Sequence, residues 1–292
     1  MKKLLSIIIL AAVGLSMFSA CSAKKGDVFL IGVSDGLSDS SVADKIDKEY
    51  SAQLTGSDFN DASAASAYDI VVNGEAASGT YQKSRHNFNT SVILDYYKSQ
   101  TGDVVFAVSR GDHKLGYYSK TYPEDESLPA LCTVDKGKDV AVTFLEGYTD
   151  IENYTMTRSG SFGYEGSGVY SYTFKRYLGD IATGDTIHIR VDSRRNIVCE
   201  YKNYSVSEFA GVTLPKGFSL ERSMDAVEAK TGKMLTAALT TSDAGAPDFE
   251  VLKDTGYIVR TEKGRLALAV DVNIARKGTD IKERVTMLML IN

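Results

Sequence analysis

The sequence predicts an α+β fold in which a helix packs on an antiparallel sheet, repeated at least twice, after a divergent N-terminal α/β lobe. The main observation is that residues 131–204 and 223–292 share one order, a helical stripe followed by several strand-like segments. A second is the clean alternation of apolar and polar residues at 186–192, which is typical of a strand with one buried face. A helix across such a sheet buries the apolar sides of both elements, so this architecture is favoured.

The N-terminal lobe is predicted to mix helices and strands. A helix is expected at about 41–54, where serine precedes an apolar stripe, and another at about 91–100, which Gly102 would end. Residues 56–67 and 80–89 lack a period and are expected to be irregular. The expected strands are 28–33, 69–72, 104–109 and 115–121.

Each of the two later units opens with a predicted helix. Thr133 can cap a helix that runs to Gly147, and a second helix is expected at 223–239. Proline-containing segments at 123–129 and 214–217 mark the boundaries before them. The expected strands are 153–158, 169–177, 186–192, 197–204, 256–261, 265–275 and 281–291. The resulting division is a leader (1–20), an N-terminal lobe (21–126) and two helix-plus-sheet units (127–210 and 211–292).

Cys21 closes the most informative segment of the sequence. Lys2 and Lys3 precede an apolar run at 4–13, and Phe18-Ser19-Ala20-Cys21 follows. This order is typical of a secretory signal peptide, and its last four residues resemble the lipobox of bacterial lipoproteins. The resemblance implies a diacylglyceryl group on Cys21 and a protein anchored to the cell membrane or outer membrane, facing outside the cytoplasm. The alternatives are an uncleaved anchor and an ordinary signal peptide with an incidental cysteine.

The charge balance argues against nucleic acid as a partner. The chain has 33 basic and 38 acidic residues, a net charge of −5 and no basic block. Hydrophobic residues make up 43% of the chain and there are 4 prolines, which indicates a folded body. The 17 tyrosines, with no tryptophan, favour an extracellular sheet whose rings pack and whose hydroxyls stay wet over a carbohydrate-stacking site.

No pattern in the sequence indicates catalysis, a metal or a cofactor. The three histidines lie too far apart to form a ligand pair. Gly32-Val33-Ser34-Asp35-Gly36 has the spacing of a hydrolase nucleophile, but it lacks the earlier parallel strands, so a turn is expected there. Cys132 and Cys199 can form one disulfide in an oxidising compartment or stay free as buried thiols. We therefore expect a protein without enzymatic activity.

His188, Arg190 and Asp192 alternate with apolar residues and are therefore predicted to share one face of a strand. A polar stripe of this kind is usually the solvent side of a sheet. It is also the candidate partner-binding face, because partners with extended segments recognise exposed strands.

Residues 131–204 resemble PepSY-type modules. A helix at 133–146 precedes the aromatic-rich strand 170–177, a Gly179-Asp180 loop, a strand that ends in Asp192 and a strand that begins Asn196-Ile197-Val198. PepSY modules occur in the propeptides of secreted zinc peptidases and in bacterial cell-envelope proteins, and they carry no known catalytic residues. The resemblance implies a protein that binds or modulates a protein partner, such as an envelope peptidase. A surface receptor for a small molecule or glycan is the alternative function.

Overall fold

The structure, a computed structural model, describes most of the chain. The described residues are 24–33, 56–87, 90–123, 127–128, 132–163, 167–206, 208–239, 248–252, 255–261, 263–275 and 282–292. They form two α-helices, α1 (Val134–Glu146) and α2 (Leu220–Leu239), and a 3-10 turn (Ile151–Asn153) follows α1. The strands in chain order are β1 (Val28–Val33), β2 (Ser57–Phe59), β3 (Ala67–Val72), β4 (Glu75–His86), β5 (Ile93–Lys98), β6 (Val104–Ser109), β7 (Leu115–Lys120), β8 (Tyr154–Ser161), β9 (Val169–Leu178), β10 (Ile181–Asp192), β11 (Ile197–Asn203), β12 (Asp248–Val251), β13 (Tyr257–Arg260), β14 (Leu266–Ala275) and β15 (Lys282–Leu290).

The predicted α+β class, with repeated helix-on-sheet units, is wrong. The described part of the chain is mostly one large mixed β-sheet, with 50% of the described residues in strands and 15% in helices. The N-terminal lobe contains strands but no helix among its described residues, so its predicted α/β character is not seen there. The helix expected at 91–100 is instead β5, because isoleucine and two adjacent tyrosines favour a pleated, half-buried position. The helix expected at 41–54 lies outside the described residues.

Strands also replace two segments that were expected to be irregular. β2 lies within 56–67, and β4 covers most of 80–89 and the residues before it. β4 pairs with both β3 and β5, so main-chain hydrogen bonds define it although its sequence is mostly polar. The strands expected at 28–33, 104–109 and 115–121 are confirmed as β1, β6 and β7.

The sheet consists of two segments that meet at one parallel pairing. The strand order is β1-β15-β14-β13-β10-β11-β7-β6-β5-β4-β2, with β12 beside β14, β3 beside β4, and β9 and β8 extending from β10. We call β2–β11 the large segment and β1 with β12–β15 the small segment. They are joined where Thr183 of β10 pairs with Ile258 of β13, and every other described pairing is antiparallel.

Each helix packs on one sheet segment and buries an apolar face. In α1, Gly137, Ala141 and Leu145 are buried against the aromatic core of the large segment. In α2, Met224 and Val227 are buried against the small segment. Neither described helix is long and apolar enough to cross a membrane.

The contact between α1 and β9 depends on a glycine. Tyr172 is fully buried, and its hydroxyl donates to the Val134 carbonyl oxygen at 2.6 Å. A Cβ at Gly137 would fall far inside contact distance of that hydroxyl. The absence of a side chain at Gly137 therefore lets the helix approach the strand closely enough for the hydrogen bond.

Candidate functional site

The solvent-facing side of β8–β11, opposite α1, forms a shallow groove of about 450 Å³. Ile187 and Ile189 of β10 point into the core beneath α1, so the alternate residues His188 and Arg190 face the groove. The residues that line the groove come from all four strands, together with Phe162, which follows the last residue of β8. They are Arg158, Ser159, Gly160, Ser161, Phe162, Ser171, Thr173, His188, Arg190, Glu200 and Lys202.

Strand register aligns four polar side chains of the groove in a row, with a cation at each end. Thr173 of β9 pairs with Arg158 on one side and with His188 on the other. His188 in turn pairs with Lys202 of β11. Arg158, Thr173, His188 and Lys202 therefore lie side by side on four adjacent strands, and we call this set the basic row. With strands about 4.8 Å apart, the basic row spans roughly 14 Å.

The groove has more positive than negative charge. Glu200 accepts ion pairs from Arg190 and from Lys202, each at 2.8 Å. Arg158 is exposed and makes no ion pair or side-chain hydrogen bond with any described residue. Among the described lining residues, three cationic side chains thus accompany one carboxylate, on a protein whose net charge is −5. The excess positive charge favours an anionic ligand.

An aromatic ring lies beside these charges. The guanidinium carbon of Arg190 lies 3.4 Å from the ring centroid of Phe162, a cation–π contact. Phe162 is one of the few large apolar side chains of the described residues that is well exposed, at 42%. Arginine and aromatic side chains are the residue types that most often dominate binding energy at protein interfaces.

His188 is poised to respond to a bound anion. Its Nδ1 lies 3.2 Å from the hydroxyl oxygen of Thr173. Partial burial and then the nearby Lys202 lower the pKa of His188 below its usual 6.5, with a smaller opposing effect of Glu200 and a smaller lowering by Arg190. The ring is therefore mainly neutral at pH 7, and an anion beside it would favour its protonated form.

Asp192 does not lie in the groove with His188 and Arg190. β10 pairs with β9 without a shift from Thr186 to Asp192, so Asp192 keeps its place in the alternation and lies at the end of the strand. Asp192 is buried, accepts hydrogen bonds from the backbone N–H groups of Arg194 and Arg195, and pairs with the Arg195 side chain at 2.7 Å. It holds the turn between β10 and β11 and is not a surface residue, so the predicted three-residue face contains only its first two members.

A cluster of tyrosines continues the same face toward β5. The Tyr96 and Tyr117 rings lie 5.7 Å apart, with Tyr204 packed in the same cluster. Lys202 of the basic row lies 6.0 Å from the Tyr117 ring, and Lys83 lies 5.6 Å from the Tyr96 ring. The groove therefore ends in a half-buried aromatic surface.

The other candidate sites from the sequence are not assembled among the described residues. Among the described residues, no three His, Cys, Asp or Glu side chains are placed to hold a metal ion. Cys132 and Cys199 are both free thiols, so the disulfide alternative is not formed. Cys21 and Ser34 lie outside the described residues.

The groove residues that the sequence analysis did not single out are Arg158, Phe162, Glu200 and Lys202. The tight turn after β10 could have indicated that β11 lies beside it. The extra residue of β11, Cys199, places Glu200 opposite Arg190 and Lys202 opposite His188. An uninterrupted register counted back from the turn would instead place Tyr201 opposite His188.

The chain has a distant likeness to a solved structure. The C-terminal domain of Bacillus megaterium YpeB aligns with 75% of this chain and 82% of its own, at 10% sequence identity and a TM-score of 0.34. No protein-family model matches the chain, and no curated protein matches it. The likeness is distant and assigns neither a family nor an activity to this protein.

Proposed function

We propose that this protein is a lipid-anchored cell-envelope protein without enzymatic activity, which binds a protein partner through the groove on β8–β11. The observation that carries the proposal is the groove itself, which joins excess positive charge to an exposed aromatic ring on the uncovered side of the sheet. Both features are typical of interaction surfaces. The PepSY-type order at 131–204, a helix followed by antiparallel strands, is consistent with a partner-binding module.

The location in the envelope is proposed from the leader. Phe18-Ser19-Ala20-Cys21 supplies the acceptor cysteine, and two or more acyl chains on one residue are needed for stable attachment to a bilayer. Cys21→Ser should move the protein from the membrane fraction to the soluble fraction. Mass spectrometry of the wild-type N-terminus should show an acylated cysteine, and an unmodified thiol there would contradict this part of the proposal.

Site-specific photocrosslinking tests the partner-binding groove. p-Benzoylphenylalanine in place of His188 should give one recurrent protein adduct in intact cells. The same probe in place of Lys138, which is exposed on α1, is the matched control on the opposite side of the sheet and should not give that adduct. The absence of a His188-specific adduct would reject the groove as a partner-binding surface.

A glycan or small-molecule receptor is the second candidate, and the tyrosine cluster favours it. The rings of Tyr96 and Tyr117 could stack on a sugar face at the end of the groove. Because the chain has no tryptophan, the fluorescence of its 17 tyrosines can be measured without tryptophan emission, and Tyr117→Ala identifies the part of a change that comes from this surface. A saturable fluorescence change with neutral oligosaccharides, lost in Tyr117→Ala, would support this function. An unchanged signal would reject it.

A further inference from the structure

We infer that the groove recognises an acidic, extended peptide segment in which carboxylate side chains contact the basic row and an apolar side chain contacts Phe162. This inference rests on the proposed function and names the chemistry of the partner. The basic row contributes Arg158 and Lys202 at its two ends, with His188 between them.

The distribution of charge favours a peptide over a single ion. The cations do not converge on one point, because they lie on three different strands across roughly 14 Å. A phosphate-sized ion would contact one or two of them and leave Phe162 unused. Two carboxylates on an extended chain can reach both ends of the basic row, and an intervening apolar residue can cover the exposed ring.

Arg158 is the most available of the cations. Arg190 and Lys202 share Glu200, whereas Arg158 has no charged partner among the described residues. An incoming carboxylate can therefore pair with Arg158 without breaking an existing ion pair. Gly160 leaves the adjacent surface open, since a Cβ at that position would meet no atom within 4 Å.

The position of His188 couples binding to proton uptake. The charged groups that face it are Arg158 from β8, Arg190 on its own strand, and Glu200 and Lys202 from β11. In the free protein, partial burial and then the neighbouring cation of Lys202 lower the pKa of His188, and the negative charge of a bound carboxylate would raise it. Affinity should therefore rise as the pH falls from 8 to 5.5, a range in which glutamate side chains of a peptide stay mostly ionised.

The test uses the full-length protein in detergent and an acetylated, amidated peptide with glutamate at positions 1 and 5, leucine at position 3 and serine between them. Alternate residues of an extended chain point to the same side, and residues 1 and 5 lie about 13 Å apart. Calorimetry should show that the protein binds this peptide with at least tenfold higher affinity than the matched peptide in which glutamine replaces glutamate. Arg158→Gln should weaken binding about tenfold, and Gly160→Leu should block it by filling the groove. Lys138→Gln on α1 is the control and should change nothing. Titration in buffers of different ionisation enthalpy should show proton uptake, which His188→Gln should abolish.

Several outcomes would overturn the inference. Equal binding of the glutamate and glutamine peptides would remove the requirement for carboxylates. Equal effects of Arg158→Gln and Lys138→Gln would remove the groove as the site. Tighter, Arg158-dependent binding of oligogalacturonate or inorganic phosphate would assign the groove to an acidic glycan or a phosphate. If the His188 photocrosslink forms but the acidic peptide does not bind, the result supports the proposed function and rejects only this inference.

Discussion

Arg176 donates a hydrogen bond through Nε to Oδ2 of Asp185 at 3.1 Å, and both side chains are buried. Tyr154 donates its hydroxyl to the same carboxylate oxygen at 2.7 Å, and Asp150 pairs with the other side of the guanidinium. This cluster connects β8, β9 and β10. It lies two residues from Thr183, where the two sheet segments join. The cluster therefore connects the strands that support the groove at the junction of the sheet.

The first prediction concerns the pH dependence of stability. Burial raises the pKa of Asp185 from 3.8 to about 6, despite the opposing hydrogen bond from Tyr154 and charge of Arg176. Between these values the folded protein holds a proton that the unfolded chain has released, so this group makes the free energy of unfolding decrease as the pH rises from about 4 to 6. Urea denaturation at several pH values measures the slope. In Asp185→Asn this part of the slope should disappear, whatever the absolute stability of the variant.

Asp61 provides a control, because its effect on the pH dependence of the free energy of unfolding has the opposite sign. Hydrogen bonds from Ser63, followed by one from Arg110, lower the pKa of Asp61 to about 2. Its contribution is present above pH 4 and is lost as the pH falls toward 2. Asp61→Asn should therefore flatten the acid limb below pH 4 and leave the slope between pH 4 and 6 unchanged. A wild-type slope in Asp185→Asn would show that Asp185 does not titrate in this range.

The second prediction is that Gly137→Ala destabilises the protein although alanine is the better helix former. The new methyl group would collide with the hydroxyl of Tyr172, so α1 must move away from β9 or the hydrogen bond to Val134 must break. Overpacking of this kind costs about 1–3 kcal/mol. Thermal or urea unfolding measures the decrease in the free energy of unfolding.

A double-mutant cycle checks the cause of that loss. Tyr172→Phe alone should cost about 1 kcal/mol, the net value of one hydrogen bond. In the Gly137→Ala, Tyr172→Phe double variant the removed oxygen leaves room for the methyl group, so the two losses should be less than additive. Strict additivity would mean that the collision with Tyr172 is not the reason for the destabilisation.

The sequence predicts individual elements better than it predicts the fold. The continuous apolar run of β6, the alternating segment 186–192 within β10 and the capped helix α1 are found where they are expected. The predicted fold class is wrong because the apolar periodicity of the sequence does not identify two kinds of strand. β5 places its apolar and aromatic residues on both faces, which resembles a helical stripe, and β4 is polar and is defined by its neighbours. Non-local main-chain pairing decides both cases, and no local period reports it.

The candidate site was predicted only in its central part. His188 and Arg190 follow from the period of β10. Arg158 and Phe162 reach the groove through the pairing of β8 with β9, which has its own bulge between Met156 and Arg158. Because a bulge moves every later side chain to the other face, the partners of His188 could be assigned only from the strand register.

The third prediction is that Cys132 and Cys199 remain unpaired and react slowly in the folded protein. Burial raises the pKa of both thiols, that of Cys199 to about 11, so little thiolate is present at pH 8. In Cys21→Ser protein without reductant, iodoacetamide should add two groups after denaturation and far fewer before it. Intact mass spectrometry counts the adducts. Failure to alkylate denatured protein until a reductant is added would demonstrate a disulfide.

The fourth prediction separates Asp192 from the groove. Asp192 accepts hydrogen bonds from Arg194 and Arg195 in the β10–β11 turn and is only 7% exposed. Asp192→Ala leaves those donors without their acceptor and should cost about 1–3 kcal/mol of stability. It should leave the affinity for the acidic peptide unchanged below the temperature of unfolding, since Asp192 does not line the groove.

Arg158→Gln should show the reverse behaviour, with unchanged urea unfolding and weakened binding. Its side chain is exposed and makes no ion pair with the described residues. If Asp192→Ala weakens peptide binding as much as Arg158→Gln does while the protein stays folded, the turn and the groove form a single site, and the assignment of Asp192 to the turn alone is incorrect.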